Sequence, residues 1–497
     1  MCQMKIKNEE KLGRIIDILV GGINWFIILL LLVCARYFPI IVSGAVTLYV
    51  VYWVYQSITV ARHSTSSIKQ IDKAMKTNWM QQLENKYKDE YKEIYQAILI
   101  PFANESIDIV TNTVDKIANA NFPVEQKILA LAPETKIESG LQIAQLLQEK
   151  YKDKFFKIFV FPHTLVAGEI VGKASNQNNG ARELYKKLLN AKVDPKNVII
   201  TSLDSDMLID KEYLSLLTYK FLEAKEDRFS KVFQPIPMNL TGMWETAAPA
   251  HMISSFGVQW FLSLIHRPFD FINFAVYACC LQSVHNAGYW APDIIPEDER
   301  FYWQMYFYTK GKVEVVPLFL PVFGSVIVSE NYKKTLIAQY DQIRRWAWGV
   351  SETSFIVIKM LKDTTIPWSN KLIKLYIKVR KNIEWVMLPI ILGIGNFLPD
   401  WLNKDYKQST IAFNIPILTS RMLTLTLFSF IALFFIIQKL SPAKPEKWKF
   451  YKTVLHYAKW VIFPIVSVIF GSIPALDAQT RLLLGKSIYY KTAPKTT

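Results

Sequence analysis

Only four cysteines and six histidines occur in 497 residues, and neither type falls in a pattern that does chemistry. Cys2, Cys34, Cys279 and Cys280 show neither metal-ligand spacing nor the framework of a disulfide-stapled secreted domain, so the main body is expected in a reducing space. The histidines form no H-E-x-x-H pair, which argues against a zinc enzyme. No small-residue cleavage site separates the first apolar run from the second, which argues against a cleaved signal peptide. Few ionisable residues interrupt the apolar runs, Arg421 and Lys459 lying near their ends, and no inverted repeat is visible. A stand-alone transporter or purely structural membrane component is therefore the weaker class of reading.

What is present is length, apolar sequence and positive charge. The chain is long enough for about three domains of about 150 residues. Its residues are 51% hydrophobic and 20% charged, and the formal net charge is +16. A mean hydropathy of +0.15 at that charge content implies a mixture of globular sequence and near-pure apolar runs. Most basic clusters flank those runs, which favours a lipid bilayer as partner and disfavours nucleic acid.

The apolar runs define a domain plan. Ile15–Cys34 and Phe38–Tyr55 are each close to bilayer length, and the short link at Ala35, Arg36 and Tyr37 makes them a hairpin within residues 1–60. Lys5, Lys7, Lys11 and Arg14 on one flank, with Arg62, Lys69, Lys73 and Lys76 on the other, put both ends in the cytoplasm. Residues 61–350 alternate short β-rich runs with helical stretches, the signature of an α/β domain with a mostly parallel sheet. Within 351–384, Lys371, Lys374, Lys378 and Lys381 recur at helical spacing opposite Leu372, Leu375, Tyr376, Val379 and Ile383, which predicts an amphipathic helix in the membrane interface.

Two to three further spans are expected in 385–476: Val386–Leu398, Pro416–Ile437 and Val454–Leu476. Lys439, Lys444, Lys447, Lys449 and Lys452 mark the loop between the last two as cytoplasmic. The tail, 477–497, carries Arg481, Lys486, Lys491 and Lys495 against Asp477 and so also reads as cytoplasmic. That requires either Val386–Leu398 or the last run, with Pro464 and Pro474, to be re-entrant.

Four patches in the α/β region carry chemistry. The strand Ala97–Ile100 runs into Pro101, Asn104 and Glu105, at the sheet edge where α/β folds bind ligands; a turn capped by Asn104 is the plainer alternative. The buried strand Val198–Leu203 releases Asp204-Ser205-Asp206, two carboxylates able to meet a divalent cation and the diphosphate it neutralises, or else a solvated turn. Glu297 and Asp298 open the aromatic helix Phe301–Phe307, as a cap or a general base. Gln342, Arg345 and Trp346 gather an amide, a guanidinium suited to phosphate and an indole on which a sugar can stack, a set that also suits an interfacial helix.

In this order, between an N-terminal hairpin and a C-terminal membrane bundle, the four patches resemble a membrane-integrated family 2 glycosyltransferase, the group that includes cellulose and hyaluronan synthases. Gly172-Lys173-Ala174 with Asn178 resembles the family segment whose lysine faces the donor diphosphate, and Asn286–Trp290 resembles its usual Gly-Gly-Phe. The resemblance implies a GT-A type, Rossmann-like cytoplasmic domain and a multi-pass protein of the cell membrane. It implies inverting transfer of a sugar from a nucleoside diphosphate sugar, UDP-linked, to an acceptor hydroxyl in polysaccharide synthesis, with a lipid-linked acceptor as the alternative.

The roles it implies are Asp298 as base beside Glu297, and Asp204 and Asp206 as ligands of Mg2+ or Mn2+. Pro101, Asn104, Glu105, Glu134, Lys173, Asp204 and Arg345 would face the donor, and Gln342, Arg345 and Trp346 the acceptor. The sequence departs from the pattern at Glu134, where the family shows an Asp, at Pro296, where it shows a Thr, and at Cys279–Gln282, where it shows small residues. The segment Phe233–Ser283 is expected on the acceptor side, with no residue-level role.

Overall fold

The computed structural model describes residues 2–489 apart from 137, 446 and 447, so Lys447, Lys491 and Lys495 lie outside the described residues. The chain divides into an α/β unit, residues 69–241 and 267–325, and a helical unit, 1–68, 242–266 and 326–489.

Eight strands form the sheet of the α/β unit: β1 Tyr95–Phe102, β2 Lys127–Pro133, β3 Lys157–Val160, β4 Val198–Ser202, β5 Leu208–Ile209, β6 Lys231–Thr241, β7 Tyr277–Cys280 and β8 Glu314–Ser325. Their spatial order is β3-β2-β1-β4-β7-β6-β8-β5. The first four are parallel, β7 runs antiparallel to both neighbours, and β6 and β8 are parallel. Ala97–Ile100 is buried on both faces, which is why β1 reads as an unbroken apolar run and lies between two parallel partners. Its register sets Leu99 against Ala130 and Ser202. Pairing continues past β4 through Leu203 N–H to the Leu99 carbonyl at 3.0 Å, and the next residue is Asp204. The turn closes by Met207 N–H to the Asp204 carbonyl, 3.0 Å.

Boundary differences follow from capping. Asn78 caps the helix Trp79–Tyr87, its side chain accepting from Gln81 N–H, and a 3-10 turn ends the helical run two residues before β1. Ser106, and not Asn104, caps the helix Ile107–Ala118.

Among the described residues, four helices are long and apolar enough to cross a membrane: Asn8–Tyr37, Pro39–Lys76, Thr410–Leu440 and Phe450–Leu483. The amphipathic stretch and most of Val386–Leu398 form one helix, Trp368–Ile394. Lys371 on it turns inward and is 1% exposed, its ammonium donating to the Met360 carbonyl at 2.9 Å and pairing with Asp363 at 3.3 Å. Lys378 donates to the Gly349 carbonyl at 2.9 Å. Two of the four lysines expected to face lipid headgroups thus donate to backbone carbonyls near helix ends.

Side-chain bonds mark two ends of the helical unit. Arg36, at the hairpin turn, donates to the Leu402 carbonyl at 2.7 Å, so the helix Trp368–Ile394 and its continuation Leu398–Leu402 run to that end. Arg14 donates to the Leu482 and Leu483 carbonyls at 2.7 and 2.5 Å, which returns the last helix to the N-terminal flank. The last run can turn because Pro464 and Pro474 each open a new helical piece and a π-turn, Val468–Ser472, lies between them. Between Arg14 and Arg36, Asn24 is fully buried and donates to Gln479 at 2.6 Å, while Gln479 donates to the Asn382 carbonyl at 3.1 Å.

Close approach here depends on Gly21. A Cβ at that position would meet Leu483 N at 2.7 Å and the Gln479 carbonyl oxygen at 2.8 Å, both backbone atoms. Gly21→Leu is expected to destabilise the chain by about 1–3 kcal/mol. The melting temperature of the detergent-solubilised protein checks this, and an unshifted melt would count against the packing.

Candidate active site

Three segments of the α/β unit meet around one ammonium. Lys173 is the first residue of the helix Lys173–Asn190, and its N-cap Gly172 adopts φ +145°, a conformation L side chains rarely adopt. A lysine at a helix N-terminus opposes the helix dipole and needs nearby anions. They are present. The Lys173 ammonium lies 2.6 Å from Asp204 Oδ1 and 3.2 Å from Glu297 Oε1, and it donates to the Ala275 carbonyl at 3.1 Å. The helix is anchored by Gln177, which donates to Ser202 Oγ at 2.7 Å, and by Asn178, which donates to the Trp290 carbonyl.

Glu297, Asp298 and Glu299 form the first turn of the helix Glu297–Tyr308, where its dipole favours carboxylates. Asp298 accepts from Glu299 N–H through Oδ1 at 2.8 Å and from Ala275 N–H through Oδ2 at 3.0 Å. Both carboxylate oxygens therefore have fixed directions.

Burial by itself would pull the Lys173 ammonium down, but Asp204, Glu297 and Asp298 outweigh it and hold the lysine well above its ordinary range. Burial pushes the Glu297 carboxyl up to about 7, with Lys173 opposing and the charges of Asp298 and Asp204 adding to the rise. Asp298 is raised by burial as well, against Lys173 and its two backbone donors. A buried carboxyl above its usual range is a stronger proton acceptor.

The Glu297 shift has a sign that can be tested. A carboxyl whose folded value exceeds its unfolded one stabilises the fold below about pH 4.5, and that contribution is lost as pH rises through about 7. Glu297→Gln removes this dependence. The melting temperature of the variant minus that of the wild type is expected to rise between pH 5 and pH 8, and a flat difference would contradict the shift.

The other residues named from the sequence divide between the two units. Asp206 is buried and accepts from Ser325 N–H at 3.3 Å. Pro101 lies in β1 opposite Ala132. Asn104 is exposed in the turn that follows, and Glu105 bends back to accept from Ala103 N–H at 2.7 Å. Glu134 is 3% exposed just after β2 and bridges in parallel to His163. Gln342, Arg345 and Trp346 belong to the helical unit, on the helix Tyr332–Ala347, with Trp346 exposed. That helix is pinned by Arg344, which pairs with Asp341 at 2.7 Å and Asp477 at 3.0 Å.

Asp204 and Asp206 offer anionic oxygens, the chemistry Mg2+ and Mn2+ prefer. Among the described residues no group of three or more His, Cys, Asp or Glu stands ready to hold an ion. The two carboxylates therefore do not form a protein-only cage, and any cation there would need further oxygens from a ligand or water.

Sequence reasoning passed over Gln234, Asn273, Ala275 and Tyr277. Tyr277 is fully buried and receives a hydrogen bond from the Trp290 indole, and burial together with the charges of Asp298 and Glu297 raises its hydroxyl well above the usual range. Nothing in the local pattern distinguishes these residues, whereas Pro235 inside β6 does signal a break in pairing.

No protein-family model matches the chain, and no curated protein matches it. Among solved structures it is similar to the mannosyltransferase PcManGT from Pyrobaculum calidifontis in complex with GDP-Man and Mn2+. Identity is 10%, the TM-score is 0.45, and the match covers 90% of this chain and 100% of that one. It is also similar to residues 1–349 of S. aureus TarS in complex with UDP-GlcNAc, at 12% identity and TM-score 0.37, covering 71% of this chain and 93% of that one.

Proposed function

We propose that this protein is a GT-A type, inverting glycosyltransferase that moves a sugar from a UDP-linked donor to an acceptor hydroxyl at the cytoplasmic face of the cell membrane, in polysaccharide synthesis. The observation that carries the reading is Asp298, a half-buried carboxylate oriented by two backbone N–H groups and one residue from a carboxylate that Lys173 binds.

In the reaction, the acceptor oxygen attacks the anomeric carbon as the bond from that carbon to the diphosphate oxygen breaks. Asp298 takes the acceptor proton. The electron pair leaves with the diphosphate, and Lys173 exchanges carboxylate contacts for phosphate oxygens as charge accumulates there. Asp204 and Asp206 would hold Mg2+ or Mn2+, which supplies charge neutralisation to the diphosphate. Pro101, Asn104, Glu105 and Glu134 line the carboxyl edge of β1 and β2, the edge on which the nucleoside is proposed to lie. Gln342 and Trp346 would meet the acceptor, and Arg345 the diphosphate.

The bonds from Arg14 to the last helix support a topology in which the N terminus and the segment after residue 476 share the cytoplasmic side, the Pro464–Pro474 run being the re-entrant one.

A panel of nucleotide sugars offered to purified membranes, reading nucleotide release and product size together, tests the proposal. Metal-dependent UDP release with a growing product is expected. A single-sugar lipid product would reject polymer synthesis, and no release with any donor would reject the transferase.

A further inference from the structure

Resting on the reading above, we infer that Gln234 and Asn273 are positioning residues that fix the proposed base Asp298 and Lys173 relative to each other, Gln234 through the backbone around Ala275 and Asn273 through the backbone carbonyl of Asp298. The starting point is a break in the sheet. β6 pairs with β7 at Val232–Cys279 and Phe233–Ala278. Beyond Phe233 the next residues are Gln234 and Pro235, and the β6–β8 register shifts between Gln234 and Ile236.

Proline has no N–H to continue a ladder. The Gln234 side chain replaces it. Its carbonyl oxygen accepts from Phe274 N–H at 2.8 Å, and its amide donates to the Val276 carbonyl at 2.7 Å and the Phe274 carbonyl at 3.2 Å. Gln234 is fully buried, so this amide acts as a strand surrogate that grips residues 274–276 from both sides.

The gripped segment holds an unusual conformation. Ala275 has φ +49°, a left-handed value that favours glycine and persists in other residues only when surroundings over-determine it. At that conformation its two polar groups serve two different functional side chains. Ala275 N–H donates to Asp298 Oδ2 at 3.0 Å, and its carbonyl accepts from the Lys173 ammonium at 3.1 Å. One residue's backbone is therefore the spacer between proposed base and proposed diphosphate cation.

Asn273 completes the hold. It is fully buried, and its amide donates to the Asp298 backbone carbonyl at 2.8 Å, while its side-chain oxygen is buried without a partner. An asparagine kept at that expense delivers a specific donor, since an apolar residue of similar shape would fill the space without stranding an oxygen.

The test uses the full-length chain in membranes and in detergent, with Gln234→Leu and Asn273→Leu made separately so that one failing to fold leaves the other. Misplacement of a base by about 1 Å costs on the order of a hundredfold in rate. Each variant is expected to lower kcat by about tenfold to a hundredfold with donor KM within about threefold. In Gln234→Leu the acid limb of the pH–rate profile should move to higher pH, because Asp298 with its Ala275 N–H donor weakened ionises less readily. Wild-type kcat with an unmoved limb would overturn the inference, as would a uniform loss of active fraction with the limb in place. If the wild type turns over no donor, the reaction assignment fails, and melting temperatures then decide the positioning. Non-additive losses from Gln234→Leu and Asp298→Asn support it, and additive losses overturn it.

Discussion

Asp298→Asn is expected to reduce sugar transfer by about two to four orders of magnitude, the contribution of a positioned general base, while donor binding changes by less than about threefold. The substitution also carries a structural consequence that its isosteric shape conceals. Both carboxylate oxygens accept backbone N–H groups, from Glu299 and from Ala275. An asparagine must turn its own NH2 toward one of them, leaving a buried donor facing a donor at a cost of about 1–3 kcal/mol. A modest fall in melting temperature should therefore accompany the loss of turnover. Calorimetric donor binding separates the two effects, because a misfolded site loses binding and a missing base does not. Transfer at the wild-type rate would remove Asp298 from the role.

The second large effect belongs to Lys173. Its ammonium uses its three hydrogens on Asp204, Glu297 and the Ala275 carbonyl, with Asp298 close enough to add its charge. Lys173→Ala leaves these carboxylates in a buried site without their cation. Removing one partner of a fully buried ion pair costs about 3–5 kcal/mol, and less is expected here because the Asp204 side chain is 26% exposed. The loss should be largest at alkaline pH and smaller near pH 5, where Glu297, already raised to about 7, carries a proton and needs no counter-ion. Donor affinity should fall with it. Lys173→Arg is expected to rescue only in part, since a planar fork does not reproduce three diverging donors. Thermal melts at pH 5 and pH 8 with UDP titration check both halves. A variant with the wild-type melt at pH 8 would show that the cluster adds nothing to stability.

Much of this was legible from the chain alone, for a definable reason. Asp204 follows a fully buried strand, and Glu297 and Asp298 open a helix, so in each case residue type and position at an element end coincide in a short stretch of sequence. Lys173 was visible through its neighbours Gly172 and Asn178. Ala275 carries no such mark, because its contribution is a backbone conformation imposed by distant groups. Gln234 was hidden because a buried amide in a strand is usually an ordinary satisfied side chain. Lys371 and Lys378 misled, since helical spacing identifies a basic face without showing whether carbonyls or lipid headgroups await it. The stretches 242–266 and 326–350 also read as part of the α/β run, although their helices belong to the helical unit. Amphipathic periodicity does not tell which body a helix will cover.

The amide network inside the helical unit sets a schedule for assembly. Asn24 in the first apolar helix finds its partner Gln479 only 455 positions later. At about 5–20 residues per second, the ribosome needs roughly half a minute to a minute and a half to supply it. Until then Asn24 has only the longer 3.4 Å bond to the Asn382 carbonyl, itself made late, in surroundings that penalise an unpaired polar group. Closure of the Asn24–Gln479 pair therefore waits until the last helix has been made, long after the first.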